Sequence, residues 1–438
     1  MLDSYLSRAG KRDVPNGRRV RLGIIAVGGI VALFAAACSS PAGSAKGGGQ
    51  TGPASTPTAS PSAQVAIAPG NGTRNANPSH GIAVSATVGK ITAVTATTGS
   101  HVVAGTLATD GTSWHSTWAL HPGAPYKVAV TAVNKDGKTT TTTSSFRTLT
   151  PAATFTASTL LGDQTYGVGM PISISFSSPV VHKAAVEKAI QVVTSKPVVG
   201  AWMWDGDQTL DFRPQRYWPQ HTAVRFVAHF NGLSIARGVY GTANLSQSFQ
   251  IGYSLIGVTS TRTHKTKIFW KNKLYAVWPD SSGMSGDDTA NGTYLTIEKG
   301  NPVLMTGQGY KNVPVYWSVR FTWSGNYYHS APWSVGEQGW VNVSHGCVNL
   351  SPANAQWYYS RANPGDPITI TGSPVTGAWD DGYTEWFLSW KQLLAHSATH
   401  MAVQAGPTGS TLVEPSTVPT QTTTTVLTGP KPHNYLAG

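Results

Sequence analysis

At 438 residues the chain is too long for one ordinary domain and long enough for about three. Only 11% of residues are charged, while Gly (47) and Pro (28) abound, so short strands, turns and linkers are expected rather than a helical bundle. Hydrophobic content of 40%, with 15 Trp and 16 Tyr, excludes global disorder; two cysteines exclude a disulfide-stapled scaffold, and no zinc-finger or iron–sulfur spacing is present.

The formal net charge is +12. Residues 1–37 carry Arg8, Lys11, Arg12, Arg18, Arg19 and Arg21 against Asp3 and Asp13, so the remainder keeps +8. That excess suits a polyanion such as a bacterial wall. No Arg/Lys stripe or nucleic-acid motif is present, so nucleic acid is not expected as a partner.

The basic stretch ends in Arg18-Arg19-Val20-Arg21, and an apolar run follows from Leu22 to Ala37. That run is short for a spanning helix and suits the core of a signal peptide over 1–37. Small residues then meet one cysteine, Ala35-Ala36-Ala37-Cys38, which resembles a bacterial lipobox. Cys38 is the expected lipidation site, with the protein held to the outer face of the cell membrane. Residues 38–77 read as the lipidated Cys and a flexible Gly/Ser/Pro/Thr linker.

Two β modules are expected next, over 78–148 and 149–252. In the first, Tyr126, Val128, Val130 and Ala132 share one strand face, and Asp110-Gly111 and Asp136-Gly137 mark turns. An immunoglobulin-like sandwich is the best match. In the second, Ile172, Ile174 and Phe176 alternate with Ser, and Val224, Phe226, Ala228 and Phe230 alternate also. A helical turn is expected near Ala184–Ile190. Neither module clusters Cys, His or carboxylates, so both read as pedestals.

The chemistry falls in 253–375. Cys347 lies in Ser344-His345-Gly346-Cys347-Val348-Asn349, and Ser351-Pro352 forms an N-cap and first-turn pair for a helix just after it. His329 and His345 are two candidate bases. A free thiol is mostly protonated at neutral pH, and an oriented imidazole within reach generates thiolate. Gly346 lets backbone approach a substrate carbonyl, so the N–H groups of 346 and 347 are candidate oxyanion donors. A buried structural cysteine is the blander alternative.

These residues, with His329 ahead of Ser344-His345-Gly346-Cys347 and Asn349 after it, resemble the signature of the YkuD-type L,D-transpeptidases of the actinobacterial, mycobacterial type. The string HSAPWSVGEQGWVNVSHGCVNLSPANAQW is similar almost throughout, and Ser281-Ser282-Gly283 with Thr289–Tyr294 resembles the family's start. The resemblance implies a mainly β chain: two immunoglobulin-like domains, then a β-rich catalytic domain with a C-terminal helical extension. It implies Cys347 as nucleophile and His329 as base and acid, with the Ser330 carbonyl orienting it. His345 and Gly346 would shape the loop. Ser344 and Asn349 would support it, and Asn349 would touch substrate. Ser324 and Gly325 match a substrate-binding strand. Met305, Tyr310 and Tyr316 fall in a flap over the acyl site, although the stretch Val315–Trp323 is shorter than in similar enzymes. Trp333 reads as core.

The implied reaction is acyl transfer between peptidoglycan stem peptides. A tetrapeptide donor loses D-alanine to a Cys thioester, and the side-chain amine of a diamino-acid acceptor then takes the acyl group. No cofactor or metal is implied, and β-lactams of the carbapenem class are the implied inhibitors. An exported cysteine peptidase or a catalytically silent wall-binding lipoprotein are the competing readings; a sortase is disfavoured by the His-Gly before Cys347. Residues 376–396 read as the helical extension, with Tyr383–Ala395 amphipathic through Trp386, Phe387, Trp390, Leu393 and Leu394, packed on the catalytic domain. Residues 397–438 read as a disordered Thr/Pro-rich tail.

Overall fold

The computed structural model describes residues 60–307 and 309–417. The signal segment, Cys38 and the end of the tail therefore lie outside the described residues.

The first module is a sandwich of two four-stranded sheets. Gln64–Ala68, Ala83–Val88, Ser113–Ser116 and Gly105–Leu107 form one sheet; His101–Val102, Lys90–Thr98, Pro125–Val133 and Thr139–Arg147 form the other. The alternation along Pro125–Val133 works as expected: Tyr126, Val128, Val130 and Ala132 are all buried. The linker expectation over 38–77 fails for Gln64–Ala68, which pairs antiparallel with Ala83–Val88. Val65 and Ile67 pack on the core, so two apolar residues two apart suffice for an edge strand despite the Ser/Pro-rich setting.

The second module is built on a ten-stranded sheet. Its core holds Trp202, Phe212, Trp218, Phe226 and Phe249, and the expected helix is Lys183–Lys188. Strands Ile190–Thr194 and Val198–Asp205 are consecutive in sequence yet not neighbours in space. Between them lies Ala402–Gly406, paired antiparallel with the second through Gly200 and Val403 and parallel with the first at Val193 and Gly406. Gly409–Val413 completes this C-terminal hairpin. The expected disorder of 397–438 is therefore overturned for 402–413. Ala402, Val403 and Ala405 are buried and fill the sheet's centre, and the Gly406-Pro-Thr-Gly409 turn closes the hairpin.

The chain ahead of that hairpin is pinned by one buried carboxylate. Glu187 accepts from Trp204 Nε1 (2.9 Å), Ser397 Oγ (2.8 Å), Ala398 N (2.6 Å), Thr399 N (3.0 Å) and Thr399 Oγ1 (2.6 Å). Five donors around one carboxylate offset its desolvation.

The catalytic region packs a five-stranded sheet against a four-stranded one. The first runs Lys273–Pro279, Lys265–Trp270, Leu255–Ser260, Pro367–Thr371, Gly292–Leu295; the second runs Glu298–Gly300, Ser318–Arg320, Tyr327–Ser330, Val348–Leu350. Leu255, Ile268, Tyr294, Tyr328, Val348 and Tyr358 fill the space between. A separate hairpin, Val303–Gly307 with Tyr310–Val315, stands apart from both sheets.

The extension departs from a single amphipathic helix. It has a 3-10 turn, Glu385–Phe387, then extended Leu388, then a short helix, Trp390–Ala395, with a Ser389/Gln392 capping box. Phe387 packs edge-on against Tyr294 of the catalytic region, but Leu388 and Leu393 pack on Ala201 and Met203 of the second module. Buried Arg213 of that module donates to Glu385 O (3.1 Å) and Leu388 O (2.7 Å), with its guanidinium 4.3 Å over Trp386. The extension is thus shared between the second module and the catalytic region.

Candidate active site

His329 lies on strand Tyr327–Ser330, and Cys347 directly precedes strand Val348–Leu350. The two strands pair parallel, Tyr328 opposite Val348 and His329 opposite Asn349. Cys347 therefore falls opposite Tyr327, on the face that also carries His329. His329 is 3% exposed, and its Nδ1 lies 3.0 Å from Ser330 O, the orienting carbonyl expected from the sequence. With Nδ1–H donating there, Nε2 is left as the basic nitrogen.

Burial sets the resting protonation. It lowers His329 to about 4, opposed by the bond to Ser330, and raises Cys347 to about 11, opposed by a hydrogen bond from the Tyr327 backbone. The thiol donates to Gly325 O at 3.7 Å. Both shifts run toward the neutral forms, thiol and imidazole. Desolvation of the partly exposed Cys347 thus opposes the thiolate that an oriented imidazole would favour.

The turn around Cys347 is tightly specified. Ser344 Oγ donates to Cys347 O at 2.5 Å and accepts from Gly346 N at 3.2 Å. Gly346 has φ of +111°, and a Cβ there would lie 2.7 Å from Asn326 Nδ2. Its carbonyl accepts from Asn326 Nδ2 (2.5 Å) and Thr289 Oγ1 (2.8 Å). In a trans peptide the N–H points away from the C=O, so these two bonds fix the direction of the Cys347 N–H. Of the two expected oxyanion donors, Gly346 N–H is engaged by Ser344 Oγ.

The other sequence candidates separate. His345 is exposed, its ring 5.2 Å from that of Tyr310 on the separate hairpin. Burial and the nearby Cys347 push the Tyr310 phenol above its ordinary range, which places Tyr310 at the site. Met305 sits opposite Val313 in the same hairpin. Tyr316 is 50% exposed and contributes its carbonyl, which accepts from Ser330 N at 3.0 Å. Asn349 is buried and its amide donates to Ser334 Oγ at 3.0 Å. Ser324 and Gly325 form the turn facing Cys347.

Sequence reasoning misjudged Trp333 and missed Asn326 and Thr289. Trp333 is 60% exposed and lies over His329, ring centres 6.0 Å apart at 30°. It covers the base instead of filling the core, because Pro332–Ser334 is a surface 3-10 turn. Thr289 lies in the segment that resembles the family's start; Asn326, between Gly325 and His329, carried no signal beyond that position.

Residues 73–234 match a bacterial Ig domain and residues 255–370 match the L,D-transpeptidase catalytic domain. Among curated relatives, L,D-transpeptidase 2 of Mycobacterium tuberculosis is 32% identical over 332 residues, 72% of this chain and 80% of the relative. L,D-transpeptidase 5 of the same species is 34% identical over 308 residues, 68% of each chain. A solved LD transpeptidase in complex with imipenem is 32% identical and covers 50% of this chain and 100% of its own, with a TM-score of 0.42. The extent of the relatives' match, on a chain that carries His329 and Cys347 at adjacent parallel strands behind a bacterial Ig domain, makes this protein a member of the L,D-transpeptidase family.

Proposed function

We propose that this L,D-transpeptidase joins the third residues of two peptidoglycan stems through a thioester on Cys347. The observation that carries the reading is His329, oriented by Ser330 O, on the same face of adjacent parallel strands as Cys347. Sγ attacks the carbonyl of the third residue of a tetrapeptide stem while Nε2 of His329 takes the thiol proton. Cys347 N–H receives the developing oxyanion. The C–N bond to D-alanine breaks, and His329 returns its proton to the departing amine. The side-chain amine of a second stem then attacks the thioester, loses a proton to His329, and the released sulfur is reprotonated.

Incubation with a disaccharide tetrapeptide should give free D-alanine and a cross-linked dimer, and Cys347→Ala should abolish both. Transfer persisting in Cys347→Ala overturns the assignment; D-alanine released with no dimer favours a carboxypeptidase. A carbapenem, whose strained ring offers a similar acyl carbon, should add one-to-one to Cys347 by intact mass. Anchorage through Cys38 to the outer face of the membrane, supported by the lipobox-like Ala35-Ala36-Ala37-Cys38, is part of the same reading. Cys38→Ala should release the protein or leave it unprocessed, and membrane retention with normal processing would count against it.

A further inference from the structure

We infer that Asp381, in the extension and outside the matched catalytic domain, is a positioning residue for the acyl-transfer site; this rests on the reading above. Its carboxylate accepts from Ser324 N and Ser324 Oγ, both at 2.6 Å. Short paired bonds to one carboxylate fix a turn in position and orientation together. The chain is shaped for that approach. Gly382, at φ +131°, would place a Cβ 2.9 Å from Phe321 O, and Tyr383 packs edge-on against Trp323 at 5.5 Å. Three consecutive extension residues thus lie along residues 321–324.

The turn so held reaches the nucleophile by two routes. Gly325 O, next to Ser324, accepts from the Cys347 thiol at 3.7 Å. Asn326 Nδ2 holds Gly346 O at 2.5 Å and so sets the direction of the Cys347 N–H. Behind the turn, Arg320 donates to Thr322 O at 2.9 Å and to Trp323 O at 2.5 Å, but no bond from Arg320 reaches Ser324. Ser324 Oγ also lies 3.0 Å from Thr322 Oγ1 and 3.2 Å from Asn326 Oδ1, contacts internal to the turn, so Asp381 adds the tie between this turn and the extension. Because Arg213 of the second module grips Glu385 O and Leu388 O, that module supports the site through the extension and is more than a pedestal.

The test measures four proteins: wild type, Asp381→Asn, Asp381→Ala and Ser324→Ala/Asp381→Asn. Two rates on Cys347 are compared, acylation by imipenem or the tetrapeptide donor, and alkylation by iodoacetamide. Alkylation needs the thiol, whose contact with Gly325 O is long at 3.7 Å, but not the Cys347 N–H that Asn326 orients. Acylation should fall about tenfold in Asp381→Asn and about 10- to 100-fold in Asp381→Ala, with alkylation unchanged within twofold. The double variant, which also takes Ser324 Oγ from Thr322 and Asn326, should be at least as slow as Asp381→Asn. Acylation within twofold of wild type in Asp381→Asn, or alkylation falling in step with acylation, overturns the inference. If Asp381→Ala does not fold, the near-isosteric Asp381→Asn decides alone. A wild type that releases no D-alanine counts instead against the transpeptidase reading.

Discussion

The shifts of Cys347 and His329 toward their neutral forms make a sharp kinetic prediction. Cys347 at about 11 and His329 at about 4 are separated by about 7 units. Moving the proton from sulfur to imidazole in the free enzyme is then uphill. Alkylation by iodoacetamide at pH 7 should therefore run about a hundredfold slower than at a thiol of ordinary pKa, since only about one molecule in 10⁴ is thiolate. The pH profile of kcat/KM should be flat through neutrality. Protonation of His329 removes the base, so activity is lost as pH falls through about 4 and not through the ordinary imidazole range near 6.5. His329→Ala should slow donor acylation by about two to four orders of magnitude and leave alkylation at pH 7 unchanged. An acid limb between about 6 and 7, or a thiol titrating below its ordinary value and rising in His329→Ala, would refute the reasoning and restore an ion pair.

Three further outcomes follow from named contacts. Trp333→Ala uncovers His329, so the acid limb should move up toward 6.5 in the same pH profile. Gly346→Ala forces a side chain into a φ of +111° and onto Asn326, and should cut acylation by about 100-fold while the melting temperature changes little. Ending the chain at His396 removes the strand that buries Val403 and four of the five donors to Glu187, a loss of about 5 kcal/mol or more. Calorimetry should then show the second module no longer melting cooperatively.

What could be read from the residues divides along physical lines. The His329 and Cys347 pair was legible because its chemistry demands particular side chains. The Ser351-Pro352 start of helix Pro352–Tyr359 was legible because capping is local. Tyr126–Ala132 showed its buried face through period-two alternation. The C-terminal hairpin was not legible, for Ala402-Val403-Gln404-Ala405 alternates weakly and its burial comes from strands about two hundred residues earlier. Trp333 was misjudged because side-chain type gives apolarity but not whether a turn holds it inside or across a catalytic imidazole. Asp381 gave no signal, because a carboxylate among surface residues acquires its role only when the extension folds back on Ser324.

The insertion of Ala402–Gly406 between two strands that are consecutive in sequence also dictates an order of folding. A chain made from its N-terminus completes Ile190–Thr194 and Val198–Asp205 long before the strand that joins them exists. Until then each presents an unpaired edge to the gap, and the whole catalytic region must form as a loop thrown out of an unfinished sheet. Closing a loop of about two hundred residues costs about 5 kcal/mol in chain entropy, which is recovered only when the hairpin docks. A compact catalytic region shortens the span its ends must bridge, so its folding first would speed the closure. The last step of folding is then the seating of the hairpin in a ready slot, and a hairpin from another copy fits that slot equally well, so domain-swapped dimers are the expected product of crowded refolding.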